Sequence, residues 1–176
     1  MNSAGPVLAL SGGVGGAKLA LGLYRVLPPD TLTVVANPGD DFEHLGLTVC
    51  PDLDTLLYTL SGEANLELGW GRRDETWTFM AALEKLGGET WFRLGDGDLA
   101  THIDRTRRLA AGESLSAIMD DFRRRLGIAA RLLPASDDKV RTRLDTDRGR
   151  LDFQDYFVRL HCDPAVRRLE FAGAGT

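Results

Sequence analysis

The 176 residues are 43% hydrophobic and 27% charged, with a formal net charge of −5. That is the make-up of a globular chain the size of one domain, and it argues against a disordered segment and against broad nucleic-acid binding. Cys50 and Cys162 are too few for a disulfide framework, and no stretch approaches the roughly 20 apolar residues of a membrane span. Residues 1–6 lack a basic region and a long apolar core, so a cytoplasmic chain with no membrane partner is expected, with both cysteines as packing residues.

The first element, residues 7–10, is apolar and runs into Ser11-Gly12-Gly13-Val14-Gly15-Gly16-Ala17-Lys18. This predicts a buried strand, a tight glycine loop and a helix over residues 19–27, with N–H groups at the helix start favouring an anion. Phosphate is the expected guest, with Gly12, Gly13, Gly15, Gly16 and Lys18 around it. A Walker A loop is excluded, because Ala17 separates Gly16 from Lys18 and Leu19 stands where the magnesium-binding hydroxyl belongs. The dinucleotide fingerprint fails at Lys18, where it asks for Gly or Ala. A nucleotide-dependent oxidoreductase of Rossmann type is therefore the second functional reading, and a turn that only joins strand to helix is the plainer one.

Pro28-Pro29-Asp30 breaks the chain, and residues 31–36 form a β-branched apolar run typical of a parallel strand covered on both faces. Strand, helix and strand make a right-handed βαβ unit. Ligands of open α/β sheets bind beyond the carboxyl ends of strands, so Asp40 and Asp41 in Asn37-Pro38-Gly39-Asp40-Asp41 should share a rim with the glycine loop. Residues 47–50 predict a short strand, and Pro51-Asp52-Leu53-Asp54-Thr55 opens a helix with Leu53, Leu56, Leu57 and Leu60 inward. Capping accounts for Asp52 and Asp54 taken alone. Four aspartates facing a phosphate loop also suit Mg²⁺, which takes one or two carboxylates together with phosphate oxygens.

Residues 66–71 predict a loop and residues 74–86 a helix that buries Trp77, Met80 and Ala81, its aromatics belonging to the core. A strand over residues 91–94 and a turn at Gly95-Asp96-Gly97-Asp98 should follow. Helices over residues 99–111 and 114–126 come next, the second with Leu115, Ile118, Met119, Phe122 and Leu126 on one face. Arg123, Arg124 and Arg125 suit a solvated helix face, and His102 a hydrogen-bonded structural role; His44 and His161 have no evident partners. Residues 129–133 predict a strand, residues 140–146 and 150–153 a hairpin around Asp147-Arg148-Gly149, residues 153–160 a short helix and residues 166–172 a last strand. These elements predict a single α/β domain over residues 1–176. The expected architecture is a Rossmann-like three-layer sandwich with a mostly parallel sheet and a small helical and β-hairpin insertion, apparently truncated at the C-terminus.

The motifs also resemble a known family, the 2-phospho-L-lactate transferases of deazaflavin (coenzyme F420) biosynthesis, and most of all their bacterial members. Carrying the resemblance are Ser11 to Leu19, Asn37 to Asp41, Cys50-Pro51-Asp52-Leu53-Asp54-Thr55, Gly69-Trp70-Gly71, Leu94-Gly95-Asp96 with Asp98-Leu99-Ala100-Thr101-His102, Leu132 to Asp138, and Phe153-Gln154-Asp155. The resemblance implies transfer of a phospholactyl, phosphoenolpyruvyl or similar group from a guanosine diphosphate donor to the deazaflavin alcohol Fo, with GMP released and Mg²⁺ as the ion. Asp54 and Arg93 match positions that contact Fo. Asp40, Asp41 and Asp52 match the acidic cluster of metal and reaction centre, with Asp40 and Asp54 the catalytic positions, and the glycine loop would hold donor phosphate. The chain departs from the family at Gly97, where an arginine is usual, which removes a possible phosphate or substrate contact. Family members also continue past Thr176 into a half that supplies much of the guanosine site, so a homodimer or association with such a half is expected. A deazaflavin-binding module without turnover is a third reading.

Overall fold

The computed structural model describes residues 5–175; Met1 and Thr176, and with them part of what the sequence suggested about both termini, lie outside the described residues. Three parallel strands, β1 (Val7–Ser11), β2 (Leu32–Ala36) and β5 (Arg131–Pro134), form a sheet in the order β1-β2-β5. Between β1 and β2 runs α1 (Gly13–Val26), which completes the βαβ unit. Its small residues Ala17 and Ala20 are buried, allowing α1 to lie close to α2 (Pro51–Ser61) and to the sheet. α2 turns Leu53, Leu56, Leu57 and Leu60 inward as their spacing predicts, and α5 (Leu115–Arg125) adds Leu115 and Met119 to the same core.

The three helices cover one face of the sheet. On the other face Leu8 and Leu10 are 65% and 76% exposed, and among the described residues β1 has a hydrogen-bonded neighbour on one side only. Burying an aliphatic side chain of this size stabilises by about 1.5–3 kcal/mol, which this face of β1 does not realise.

Several elements differ from expectation. α1 begins at Gly13, not at residue 19, so the glycines form its first turn. The strand near residue 47 is β4 (Leu47–Val49), and it pairs antiparallel with a strand the sequence hid, β3 (Phe42–His44), through a turn that places Leu45 and Gly46 at φ 52° and 74°. Residues 91–94 form no strand; Trp91 and Phe92 pack instead against Phe42 and His44. α3 (Thr78–Lys85) is shorter than predicted: Met80 is buried, but Trp77 is half-buried and Ala81 exposed. Gly95 to Asp98 is no turn, because α4 (Asp96–Ala110) already starts there.

The second sheet is antiparallel, with β6 (Arg141–Thr146) between β7 (Gly149–Asp152) and β8 (Val166–Ala172). A single π-helical turn, Asp155–Arg159, takes the place of the expected short helix. Arg124 and Arg125 pair with Asp120 and Asp121 on an exposed face of α5 as expected, whereas Arg123 folds back beside Asp120 and donates to the Ile128 carbonyl oxygen. Cys50 is buried, whereas Cys162 is exposed and does not pack as predicted.

Candidate active site

Beyond the carboxyl end of β1 and the start of α1 lies a cavity of about 520 Å³, within the range of small-molecule sites. One wall is aromatic, with Trp70, Trp91, Phe92, Phe153 and Phe157; the floor is polar, with Asp40, Asp52, Asp54, Asp98, His102 and Tyr58. Phe153 and Phe157 stack with centroids 5.6 Å apart, and Trp91 meets Phe92 edge-on at 5.8 Å. Trp70 is 46% exposed at the rim, so it is part of a binding wall and not of the core. Arg93 also lines the cavity, its guanidinium carbon 4.2 Å from the centroid of the Trp77 ring. That stacking fixes a flexible cation over a flat surface.

Asp52 reaches the glycine loop from α2: its carboxylate accepts from the Gly13 N–H at 2.5 Å and from the Asn37 amide at 3.1 Å. It therefore caps α1, a helix whose start lies 39 residues before it, and not its own helix. Gly13 (φ 63°) and Val14 line the cavity. Gly12, Gly15, Gly16 and Lys18 do not; Gly16 lets α1 lie against Ser11, and Lys18 is exposed on α1.

Asp40 stands on the floor with its Oδ1 buried and without a hydrogen-bond partner, while the Gln154 amide approaches its backbone oxygen at 3.3 Å. Burial and the charges of Asp52 and Asp41 push its carboxyl up to about 7. Asp41, next in the chain, turns the other way. It is buried near Arg141 (3.7 Å) and Cys50, lines a different groove beside β6, and is also pushed up to about 7 by burial against the pull of Arg141. Among the described residues no three His, Cys, Asp or Glu side chains form a metal cage. The orphaned oxygen of Asp40 close to the Asp52 charge suits instead a hard cation held by one or two carboxylates and completed by ligand phosphates.

Asp54, also on the floor, is gripped from behind by Arg105, which donates to both its oxygens, at 3.1 Å to Oδ2 and more closely to Oδ1. Arg105 is wholly buried; burial works against its charge, but Asp54 together with Cys50 and Tyr58 outweighs it, and the guanidinium pKa lies above its usual value. His102 packs between Arg105 and Asp98 and also lines the cavity. The sequence reading missed Arg105, Asp98 and Tyr58. A signal existed: Asp98, His102 and Arg105 recur at steps of four and three, a polar stripe on the buried side of α4 where an apolar one belongs. At Gly97 a Cβ would stand 2.8 Å from Arg72 Nη1 and 3.1 Å from Glu75 Oε1, so the Arg72 guanidinium occupies the room a side chain there would need.

An aromatic cavity with an acidic floor, at the carboxyl end of a parallel sheet and beside a glycine-started helix, defines an α/β protein with a site of small-molecule size. The chain belongs to the 2-phospho-L-lactate transferase CofD family, whose model matches residues 7–175. It is 46% identical to a protein named phosphoenolpyruvate transferase from Kitasatospora aureofaciens, in an alignment that covers 97% of this chain and 55% of the relative. A protein of the same name from Streptomyces avermitilis is 47% identical, with 91% of this chain and 52% of the relative covered. One from Mycobacterium tuberculosis is 42% identical, with 96% and 57% covered. The chain thus spans about half the length of the curated relatives it matches. Among solved structures, a member of the UPF0052 family from Bacillus halodurans superposes with a TM-score of 0.58 at 16% identity, over 97% of this chain and 52% of that one, a likeness of fold alone.

Proposed function

We propose that this chain forms the acceptor and metal side of a transferase that moves a 2-phospholactyl or phosphoenolpyruvyl-type group from a guanosine diphosphate donor to Fo, with release of GMP. The observation that carries the proposal is the cavity itself, whose aromatic wall suits a flat deazaflavin ring and whose floor brings Asp40, Asp52 and Asp54 together. Trp91, Phe92 and Phe153 offer faces and edges to the ring, and Arg93 offers directed donors to its polar edge. Asp54 orients the attacking hydroxyl. The Gly13 end of α1 faces the donor phosphates, as a helix N-terminus favours anions.

Asp40 and Asp52 are the residues that would hold Mg²⁺, which when bound neutralises phosphate charge. Asp41 belongs behind them. Phosphoryl transfer rests on positioning and neutralised charge more than on a covalent nucleophile, so the absence of a Ser–His or Cys–His pair on the cavity floor costs the reaction nothing.

The test mixes Fo with each guanosine-linked donor and magnesium, and follows the deazaflavin by mass spectrometry. The chain is assayed alone and with the C-terminal portion of the Kitasatospora relative added as a second chain. Fo gaining the mass of the transferred group in the combined reaction is the expected result. Binding of Fo with no product in either mixture would assign a binding module instead, and hydride transfer with a nicotinamide cofactor would assign an oxidoreductase.

A further inference from the structure

Behind the cavity floor a chain of polar groups joins α2 to α4. The Tyr58 hydroxyl donates to Asp98 Oδ1 at 2.5 Å and lies 3.0 Å from Thr101 Oγ1. His102 Nε2 stands 3.1 Å from Asp98 Oδ2, without the alignment of a full hydrogen bond, and its Nδ1 is 3.4 Å from Arg105 Nη1. Arg105 then takes both oxygens of Asp54 and donates to the Thr48 carbonyl oxygen on β4 at 3.3 Å. Asp54, Tyr58, Asp98 and His102 face the cavity, whereas Arg105 lies wholly behind it.

A guanidinium can only donate, so a hydrogen bond between Arg105 Nη1 and His102 Nδ1 runs toward the imidazole, and at 3.4 Å it is the longest of the contacts that Nη1 makes. His102 fills the space between Arg105 and Asp98, which makes it a spacer between them at the cavity wall. Relative to apolar residues of similar volume, a buried ion pair is often neutral in stability or worse. What a two-pronged pair does provide is aim: it fixes the carboxylate in both position and rotation.

We propose that Arg105 is the positioning residue of this site. It grips both oxygens of Asp54 and so fixes that carboxylate where it lines the cavity and, through His102, bears on the orientation of Asp98. The proposal rests on the cavity being the Fo site. Arg105→Lys keeps the charge but cannot grip two oxygens at once, and His102→Leu cuts the link to Asp98 while keeping the volume apolar. Ile118→Ala, a buried residue of α5 outside the cavity, serves as a variant that loses stability only.

Fo binding to the full chain is measured by calorimetry beside each variant's melting temperature. Arg105→Lys is expected to raise the Fo dissociation constant by about tenfold or more, the scale of a lost hydrogen bond to a charged group, and His102→Leu by a smaller factor. Ile118→Ala should bind as the parent does although it melts earlier. Parent-like affinity in whichever of Arg105→Lys and His102→Leu folds overturns the positioning role, as does an equal loss in Ile118→Ala. A parent chain that binds no Fo overturns the cavity assignment and the role of Arg105 with it.

Discussion

Burial pushes the carboxyls of Asp40 and Asp41 up to about 7, helped at Asp40 by the charges of Asp52 and Asp41 and opposed at Asp41 by Arg141. A carboxyl with a folded value above its unfolded one binds its proton more tightly in the native state. Its contribution to stability is therefore full below about pH 4 and is lost as the pH rises toward about 7. In the absence of divalent cation these two groups are expected to lower the melting temperature over that window, and Asp40→Asn, which cannot ionise, should flatten part of the slope. Magnesium added at about pH 7.5 should raise the melting temperature of the parent more than that of the variant. Melting curves across the window check both statements, and identical pH slopes would mean that the Asp40 proton is not held as described. Asp40 was legible in the sequence because it follows a strand in a βαβ unit. The divergence of Asp40 from Asp41 was not, since which of two consecutive side chains faces a cavity depends on Arg141 and Cys50, residues remote from the turn.

At the scale of elements, four helices receive carboxylate caps from outside themselves. Asp52 caps α1, and Asp137 accepts from the Ser116 N–H of α5 at 2.7 Å. α3 and α4 exchange caps: Glu75, just before α3, accepts from the Gly97 and Asp98 N–H groups of α4 at 2.7 and 2.8 Å, while Asp96 of α4 accepts from the Thr78 and Phe79 N–H groups of α3. Glu75→Ala is expected to cost about 1 kcal/mol, typical of a lost cap, and to lower the melting temperature by about 2–4 °C. Thermal unfolding followed by circular dichroism reads this directly; an unchanged midpoint would show that water replaces the cap without loss. These exchanges explain why Gly95-Asp96-Gly97-Asp98 looked like a turn and why α1 seemed to start late. Local sequence showed glycines and no cap, because the capping carboxylates come from 39 and 22 residues away. The amphipathic stretch of α2 has no such partner, that of α5 carries its own Ser114 cap beside Asp137, and both follow from periodicity.

In the molecule as a whole, the sequence made the parallel β1-β2 unit, the core face of α2 and the β6–β7 hairpin visible, since each follows from a run of residues close together in the chain. It concealed β3, whose three residues are too few to show alternation. It concealed the aromatic wall as well, which draws on residues from 70 to 157 that meet only after folding. That wall has an optical consequence. The three tryptophans of the chain, Trp70, Trp77 and Trp91, all surround the cavity: two line it and the third lies beneath Arg93, which does. The intrinsic emission of the protein therefore arises around one site. A ligand with near-ultraviolet absorption should quench most of it by energy transfer, and Trp70→Phe and Trp91→Phe should each remove a share of the quenchable signal. Emission that survives saturation with Fo undiminished would show the flat ligand to be seated elsewhere.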